Sequence, residues 1–324
     1  MQMSSLQTLI VVNPASSAGR TGRKQEAIVA EIGRRLKGTY SLCVTRGPFD
    51  ATSATRSAIQ RGSELVIAVG GDGTIQEVIN GFFLNGRMIN SSCQLGIVCS
   101  GTAQDVARSF AMPPRLEDQI ADVCGEQFRA VDLGRVTYRE NDGREGERFF
   151  INECQQGIAA VVVQRVLKHR KRMGGFWGFA LAAVSTAARH REQIMTVQVE
   201  DREPIKDSFL GVVAANGAYA GGGMKFAPRA RVDDGLLDVV LIHKQWIPAR
   251  LWNFPKIYVG KHVDLSWVSY FQARRILVSS DERVPAEADG ELLGSTPCTI
   301  EVLPRVLRLK SPSKPLPGSG HPSV

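Results

Sequence analysis

Short apolar runs alternate with helix-periodic segments over the first third of the chain. Leu9–Val12, Tyr40–Val44, Leu65–Val69 and Leu95–Cys99 read as strands, because brief aliphatic runs bounded by turn residues bury well in a sheet. Between them, Gln25–Leu36 spaces Ile28, Val29, Ile32 and Leu36 along one helical face, and Ala51–Gln60 and Ile75–Asn80 have similar spacing. This βαβα order predicts a parallel sheet covered by helices, with ligands at the carboxyl ends of its strands. Beyond about Val131 the rhythm changes. Met195–Val199, Leu210–Ala214, Leu237–Ile242 and Arg275–Val278 read as strands with few helices between, and the polar stretch 141–147 reads as a hairpin turn or loop. Residues 161–190 interrupt this with helical character. The pattern predicts an α/β domain over 1–131 and a β-rich domain, a sandwich, over 132–301. A segment near 302–312 is a candidate to return to the first domain, and 313–324, rich in Pro, Ser and Gly, is expected to be a disordered tail.

At 324 residues, two domains are the natural expectation. The net charge of +8 favours acidic partners such as anionic lipid headgroups or phosphorylated small molecules. A nucleic-acid partner is not expected, since the basic residues are dispersed and no recognised binding motif accompanies them. The six cysteines, Cys43, Cys93, Cys99, Cys124, Cys154 and Cys298, have no metal-ligand spacing and read as reduced core residues, which points to the cytoplasm. No secretory signal is read at the start, and Met173–Ala188, the longest weakly charged stretch, is shorter than the roughly 20 residues of a spanning helix. Any membrane contact is therefore expected to be peripheral. His169, His190, His243, His262 and His321 lack a triad or metal-site arrangement in sequence and are expected at the surface. Exposed strand edges in the second domain make a homodimer conceivable.

The chemistry concentrates in four segments. Gly70-Gly71-Asp72-Gly73-Thr74 follows a strand and precedes a helix. Glycines let the backbone approach a bulky anion, and free N–H groups at a helix start attract phosphate. Asp72 is an odd residue to offer a phosphate unless a divalent cation or a water mediates. Ala103-Gln104-Asp105 places a second carboxylate after the Gly101-Thr102 turn. Residues 216–238 combine a glycine run, a proline and paired acids with Asp-Gly turn chemistry. In Asp289-Gly290-Glu291 two acids lie two residues apart, which in an extended segment points both to one face. Such a pair suits general acid–base work.

From about residue 6 to 310 the chain resembles the diacylglycerol kinase catalytic-domain family, which includes bacterial lipid kinases, sphingosine kinases and ceramide kinases. The resembling residues are Asn13-Pro14; Gly70 to Thr74 with Glu77 and Asn80-Gly81; Gly101-Thr102 with Asp105 to Arg108; Val131 to Gly134; Asn152; Asn216 with Gly221 to Gly223; Pro228 with Asp234 to Val239; and Asp289-Gly290-Glu291. The resemblance implies a Rossmann-like parallel α/β domain followed by a β-sandwich, as in NAD kinases and diacylglycerol kinases. It implies an ATP- and Mg²⁺-dependent lipid kinase, cytoplasmic and peripherally membrane-associated. The Asn13-Pro14 loop and Gly70 to Thr74, with Glu77, would hold ATP phosphates, and Asp72 would lie near Mg²⁺ through water. Gly101, Thr102 and Asp105 would extend that site, and Asp132 would support its water network. Asp289 would be the base that takes the proton from a lipid hydroxyl, with Glu291 beside it. Asp234 and the carbonyl of Leu236 would match a second, structural Mg²⁺ position. One departure is Gln104, where members usually carry Asn.

Two other readings share parts of this pattern. An NAD kinase has the same glycine loop, and Asn152-Glu153 imitates a pair used in that family; the segments 234–238 and 289–291 follow the lipid-kinase pattern instead. A non-catalytic nucleotide or lipid sensor has only Gln104 in its favour. Separately, Lys168 to Arg172 with Phe176, Trp177 and Phe179 combines positive charge with interfacial aromatics, a candidate contact for anionic lipid.

Overall fold

The computed structural model describes residues 7–16, 20–36, 38–100, 104–168 and 184–311. The chain divides into two compact units, Met1–Val131 with Arg305–Val324, and Asp132–Pro304.

The first unit contains β1 (Thr8–Val12), α1 (Arg20–Arg35), β2 (Tyr40–Val44), α2 (Asp50–Gln60), β3 (Leu65–Gly70) and α3 (Asp72–Gly81). A two-stranded hairpin, β4 (Phe83–Leu84) and β5 (Arg87–Met88), leads to β6 (Gln94–Cys99), α4 (Asp105–Ser109) and α5 (Leu116–Cys124). The strands β6, β3, β1 and β2 are parallel neighbours in that order. β1 and β3 are buried throughout, as expected of parallel strands with helices on both faces. Ile10, Val12, Ile67 and Val69 meet Ile28 and Ile32 of α1 and Ile120 and Val123 of α5 in one core. The last part of the chain joins this sheet, pairing Arg308 and Leu309 in parallel with β6.

The second unit is mainly antiparallel. It contains β7 (Phe128–Arg139, which begins in the first unit), β8 (Glu145–Phe150), β9 (Glu153–Gly157), α6 (Ile158–Lys168), β10 (Gln193–Val199), β11 (Ile205–Ala215) and β12 (Leu237–His243). A helix, Ile247–Asn253, precedes β13 (Val268–Ala273), β14 (Arg275–Ser279), β15 (Pro285–Ala288) and the long β16 (Glu291–Lys310). β13, β12, β11, β10, β14 and β16 form the main path, while β9 pairs with β11 and β15. Alternate residues of these strands, among them Val197, Phe209, Val212, Val239, Leu241, Ile276, Val278 and Ile300, fill a common core.

The structure corrects several sequence-based expectations. The stretch 141–147 holds the expected hairpin turn, between β7 and β8, although β8 already begins at Glu145; β9 is a buried strand despite its Glu and Gln content. Helix extends from 158 to 168; the basic and aromatic residues from His169 to Phe179 lie outside the described residues, as does the segment 313–324. His262 is buried rather than superficial: its Nε2 donates to the Phe226 carbonyl at 3.0 Å, and burial lowers its pKa to about 4. His190 and His243 are half-buried. His243 also has partners on both ring nitrogens, Asp207 Oδ2 at 2.6 Å and Ser269 Oγ at 2.9 Å, a chain that ties β11, β12 and β13 together. His169 and His321 lie outside the described residues. All six cysteines are free, and burial pushes the Cys93, Cys99 and Cys298 thiols up to about 12. No helix among the described residues is long and apolar enough to cross a membrane.

Candidate active site

In the first unit, β3 ends at Gly70 and the chain turns directly into α3. A Cβ on Gly70 would lie 2.5 Å from Thr74 Oγ1, so only glycine permits this closure. Asp72 is the first residue of α3 rather than the middle of a loop, and Gly71 caps the helix without a side-chain hydrogen bond. The first-turn N–H groups of any helix lack intrahelical acceptors and carry the positive end of its dipole. Asn13 secures the neighbouring loop: its Nδ2 donates to Thr74 Oγ1 at 3.0 Å and its Oδ1 accepts from Ala15 N–H at 3.0 Å. The Pro14 carbonyl accepts from Gly22 N–H at 3.1 Å. Thr21 Oγ1 bonds Ser100 Oγ at 2.7 Å, linking α1 to the end of β6.

The Asp72 carboxylate accepts N–H bonds from Asp105 at 3.2 Å and Val106 at 3.4 Å, in the first turn of α4. Burial raises its pKa; those two bonds and the charge of Arg108 oppose the rise. Asp105 is buried and its Oδ1 receives Arg108 Nη1 at 3.0 Å. Glu77 is half-buried on α3. Gln104 has a left-handed φ of 54°, a conformation that suits the shorter side chain of asparagine better. Gly101 and Thr102 lie outside the described residues. The donor set fits a polyphosphate with a hard cation: glycines that admit the anion, a helix N-terminus facing it, and two carboxylates, Asp72 and Asp105, as oxygen ligands. Among the described residues no group of three or more His, Cys, Asp or Glu could hold a metal ion. A cation here would therefore depend on phosphate and water for the rest of its shell.

In the second unit, Asp289 and Gly290 form a two-residue hairpin turn between β15 and β16, with φ of 49° and 81° and Ala288 paired to Glu291. Asp-Gly is favoured in such turns because both central residues need positive φ. The turn also removes the extended geometry expected for Asp289 and Glu291, and Glu291 is exposed. Asp289 instead faces the start of β9. Its Oδ2 accepts Ile151 N–H at 2.8 Å, and its Oδ1 accepts Asn152 N–H at 2.8 Å and Glu153 N–H at 3.1 Å.

The acids beside it are Glu153 and Glu287, which sequence reasoning did not pair with it. Both are buried and joined by a carboxyl–carboxylate hydrogen bond. Burial, reinforced by neighbouring acids, pushes Glu153 well up. Burial likewise pushes Glu287 up to about 8, and its Oε2 accepts Gly290 N–H at 2.9 Å. Asn216, buried on the other side of this segment, donates from Nδ2 to the carbonyls of Ile151 at 2.7 Å and Asp132 at 3.1 Å. Asn152 Oδ1, Glu153 Oε2 and Asn216 Oδ1 are buried without hydrogen-bond partners.

Asp132 and Asp234 come together at a neighbouring turn. Asp132 accepts Gly235 N–H at 2.7 Å, and Asp234 accepts Leu236 N–H at 3.0 Å. Burial raises the Asp234 pKa and the Asp132 charge adds to it. Asp238, in the motif Asp234 to Val239, is fully buried beneath Tyr270, whose hydroxyl donates to it at 2.6 Å; burial raises it to about 6.

Residues 7–136 match the Diacylglycerol kinase catalytic domain, and residues 152–311 match the YegS C-terminal NAD kinase beta sandwich-like domain. A diacylglycerol kinase of Bacillus subtilis (strain 168) is 27% identical over 310 residues, covering 94% of this chain and 96% of that protein. The crystal structure of a diacylglycerol kinase from Bacillus anthracis Sterne shares the fold, with a TM-score of 0.68, 21% identity and coverage of 97% and 99% of the two chains. A yeast NADH kinase complexed with NADH shares it more distantly, with a TM-score of 0.56, 10% identity and coverage of 96% and 85%. The likeness to NAD kinases is thus one of fold.

Proposed function

The chain belongs to the diacylglycerol kinase catalytic-domain family, and on that premise we propose that this lipid kinase transfers the γ-phosphate of ATP to a hydroxyl of a membrane lipid such as diacylglycerol, ceramide or a sphingoid base. The observation that carries the reading is the Asp289 carboxylate. Three backbone N–H groups fix it, and the nearby segment holds buried acceptors on Asn152 and Asn216 that lack donors.

Phosphoryl transfer depends on positioning and charge neutralisation more than on covalent chemistry. The glycine turn and the start of α3 would seat the nucleotide phosphates. Asp72 and Asp105 would hold Mg²⁺, which supplies charge neutralisation when bound with ATP. Asp289 takes the proton from the acceptor hydroxyl as that oxygen bonds to the γ-phosphorus and the bond to the β-phosphate oxygen breaks, releasing ADP. The three N–H bonds orient the Asp289 carboxylate. Burial pushes the neighbouring Glu153 and Glu287 carboxyls up, which lessens the negative charge beside Asp289.

The test is incubation with γ-labelled ATP and, in separate mixed-micelle reactions, diacylglycerol, ceramide, sphingosine or soluble NAD. Label in a lipid product is expected. Label in NAD alone, or in nothing, would overturn the proposal.

A further inference from the structure

The helix Ile247–Asn253 is built with its apolar side outward. Ile247, Leu251 and Trp252 are 45%, 37% and 83% exposed, and Trp246 at its start is 71% exposed. At about 100° per residue, positions 247, 248, 251 and 252 fall on one stripe, and Pro248, the fourth of them, is also exposed. Val259, at the end of the 3₁₀ helix Phe254–Val259 that follows, is 64% exposed.

The inward side carries a guanidinium. Arg250 is 5% exposed, its Nη1 donating to the carbonyls of Ala187 at 2.7 Å and His190 at 3.0 Å. Its Nη2 donates to the Gln245 carbonyl at 2.9 Å and to the Glu192 carboxylate. An ordinary surface helix turns its apolar stripe to the core and its charges to water. Here the buried arginine, bonded through Nη1 and Nη2, fixes the rotation of the helix, and the apolar stripe is left facing solvent.

Charge identifies what meets this stripe. Between 244 and 263 the chain carries Lys244, Lys256 and Lys261 besides Arg250, and no Asp or Glu. A second copy related by a two-fold axis would bring the same basic patch against itself. An anionic bilayer complements both features. Indole rings settle at the headgroup boundary, and lysines are drawn to acidic lipid.

We propose that Trp246, Ile247, Leu251 and Trp252, with the lysines around them, dock the protein on the surface of an anionic phospholipid bilayer. This deepens the lipid-kinase reading and rests on it, since an acceptor held in a bilayer must be met there.

The experiment compares the full chain with Trp246→Ala/Trp252→Ala and with Lys244→Ala/Lys256→Ala/Lys261→Ala. Each is sedimented with phosphatidylcholine–phosphatidylglycerol vesicles and with phosphatidylcholine vesicles, and thermal melting checks that the variants fold. The unmodified chain should prefer the mixed vesicles. The tryptophan variant should lose at least about tenfold in partitioning, and the lysine variant should lose the preference for phosphatidylglycerol. Unaltered binding by the tryptophan variant overturns the proposal, as does a dimer of the unmodified chain that this variant converts to monomer. Transfer to a short-chain, water-dispersed diacylglycerol is measured in parallel. Transfer without vesicle binding overturns the docking surface alone; tryptophan-dependent vesicle binding without transfer supports it while the kinase reading fails.

Discussion

Each unit holds a carboxylate on backbone N–H groups, but the two surroundings differ in kind. Asp72 takes two N–H bonds from the start of α4, with Arg108 contributing positive charge nearby. Gly71 and Gly73 flank it and Thr74, bonded to Asn13, follows, chemistry suited to receiving an anion. Asp289 takes three N–H bonds from the start of β9, and its neighbours are two buried glutamates. In the proposed reaction that carboxylate receives a proton. The same local device would then serve opposite tasks, with the second layer of residues deciding which.

The contrast can be broken most forcefully at Asp289. Asp289→Ala leaves the N–H groups of Ile151, Asn152 and Glu153 without their acceptor and puts alanine at a φ of 49°. A buried unsatisfied group costs about 1–3 kcal/mol and a left-handed alanine roughly 1–2 kcal/mol. Thermal or urea unfolding should show a loss of about 3 kcal/mol or more, together with loss of transfer. Wild-type stability would mean that the carboxylate does not organise this segment.

Gly70→Ala should come next. The new Cβ would sit 2.5 Å from Thr74 Oγ1, and overpacking of this kind costs about 1–3 kcal/mol. The KM for ATP should rise about tenfold, with a smaller change in transfer at saturating nucleotide. An unchanged KM would separate the glycine turn from nucleotide binding.

Glu287→Gln should act through pH. With Glu287 raised from 4.5 to about 8 in the folded state, the folded chain binds more protons than the unfolded chain across that window. The contribution of this group to stability is therefore full below about 4.5 and is lost as pH rises towards about 8. Urea unfolding between these limits should show a flatter pH dependence for the amide variant, and an unchanged slope would contradict the burial argument. The smallest effect is expected for Glu291→Gln, because the side chain is exposed. Steady-state transfer should stay within about twofold, the scale of ordinary surface substitutions. A hundredfold loss would restore the expected Asp289–Glu291 partnership.

The two sites also differed in how far the sequence revealed them. The aliphatic runs located the parallel strands to within a residue: Leu65–Val69 became Leu65–Gly70, and Leu95–Cys99 became Gln94–Cys99. Burial on both faces leaves little choice of side chain there, so composition reports position. The glycines after β3 were equally legible, since a Cβ collision enforces them. β9 was not, because its Glu153-Cys154-Gln155-Gln156-Gly157 sequence carries buried polar side chains where apolar alternation was sought. Glu287 was missed for a related reason. A lone acid between two alanines looks like surface until a cross-strand partner is known, and strand pairing is a long-range property. The Asp289-Gly290-Glu291 spacing misled because positive φ at the first two residues replaced the extended geometry on which the inference depended.

The central claim divides the reaction between nucleotide seating in the first unit and proton removal by Asp289 in the second. Asp289→Asn tests it most directly, because asparagine tolerates the left-handed turn and keeps one oxygen for the β9 N–H groups while losing basicity. ATP affinity by equilibrium dialysis and single-turnover transfer to short-chain diacylglycerol should be measured on the same preparation. The account predicts affinity within about twofold of wild type and transfer slowed by about 10²–10⁴-fold. Transfer near the wild-type rate, or ATP affinity lost along with it, would contradict the account.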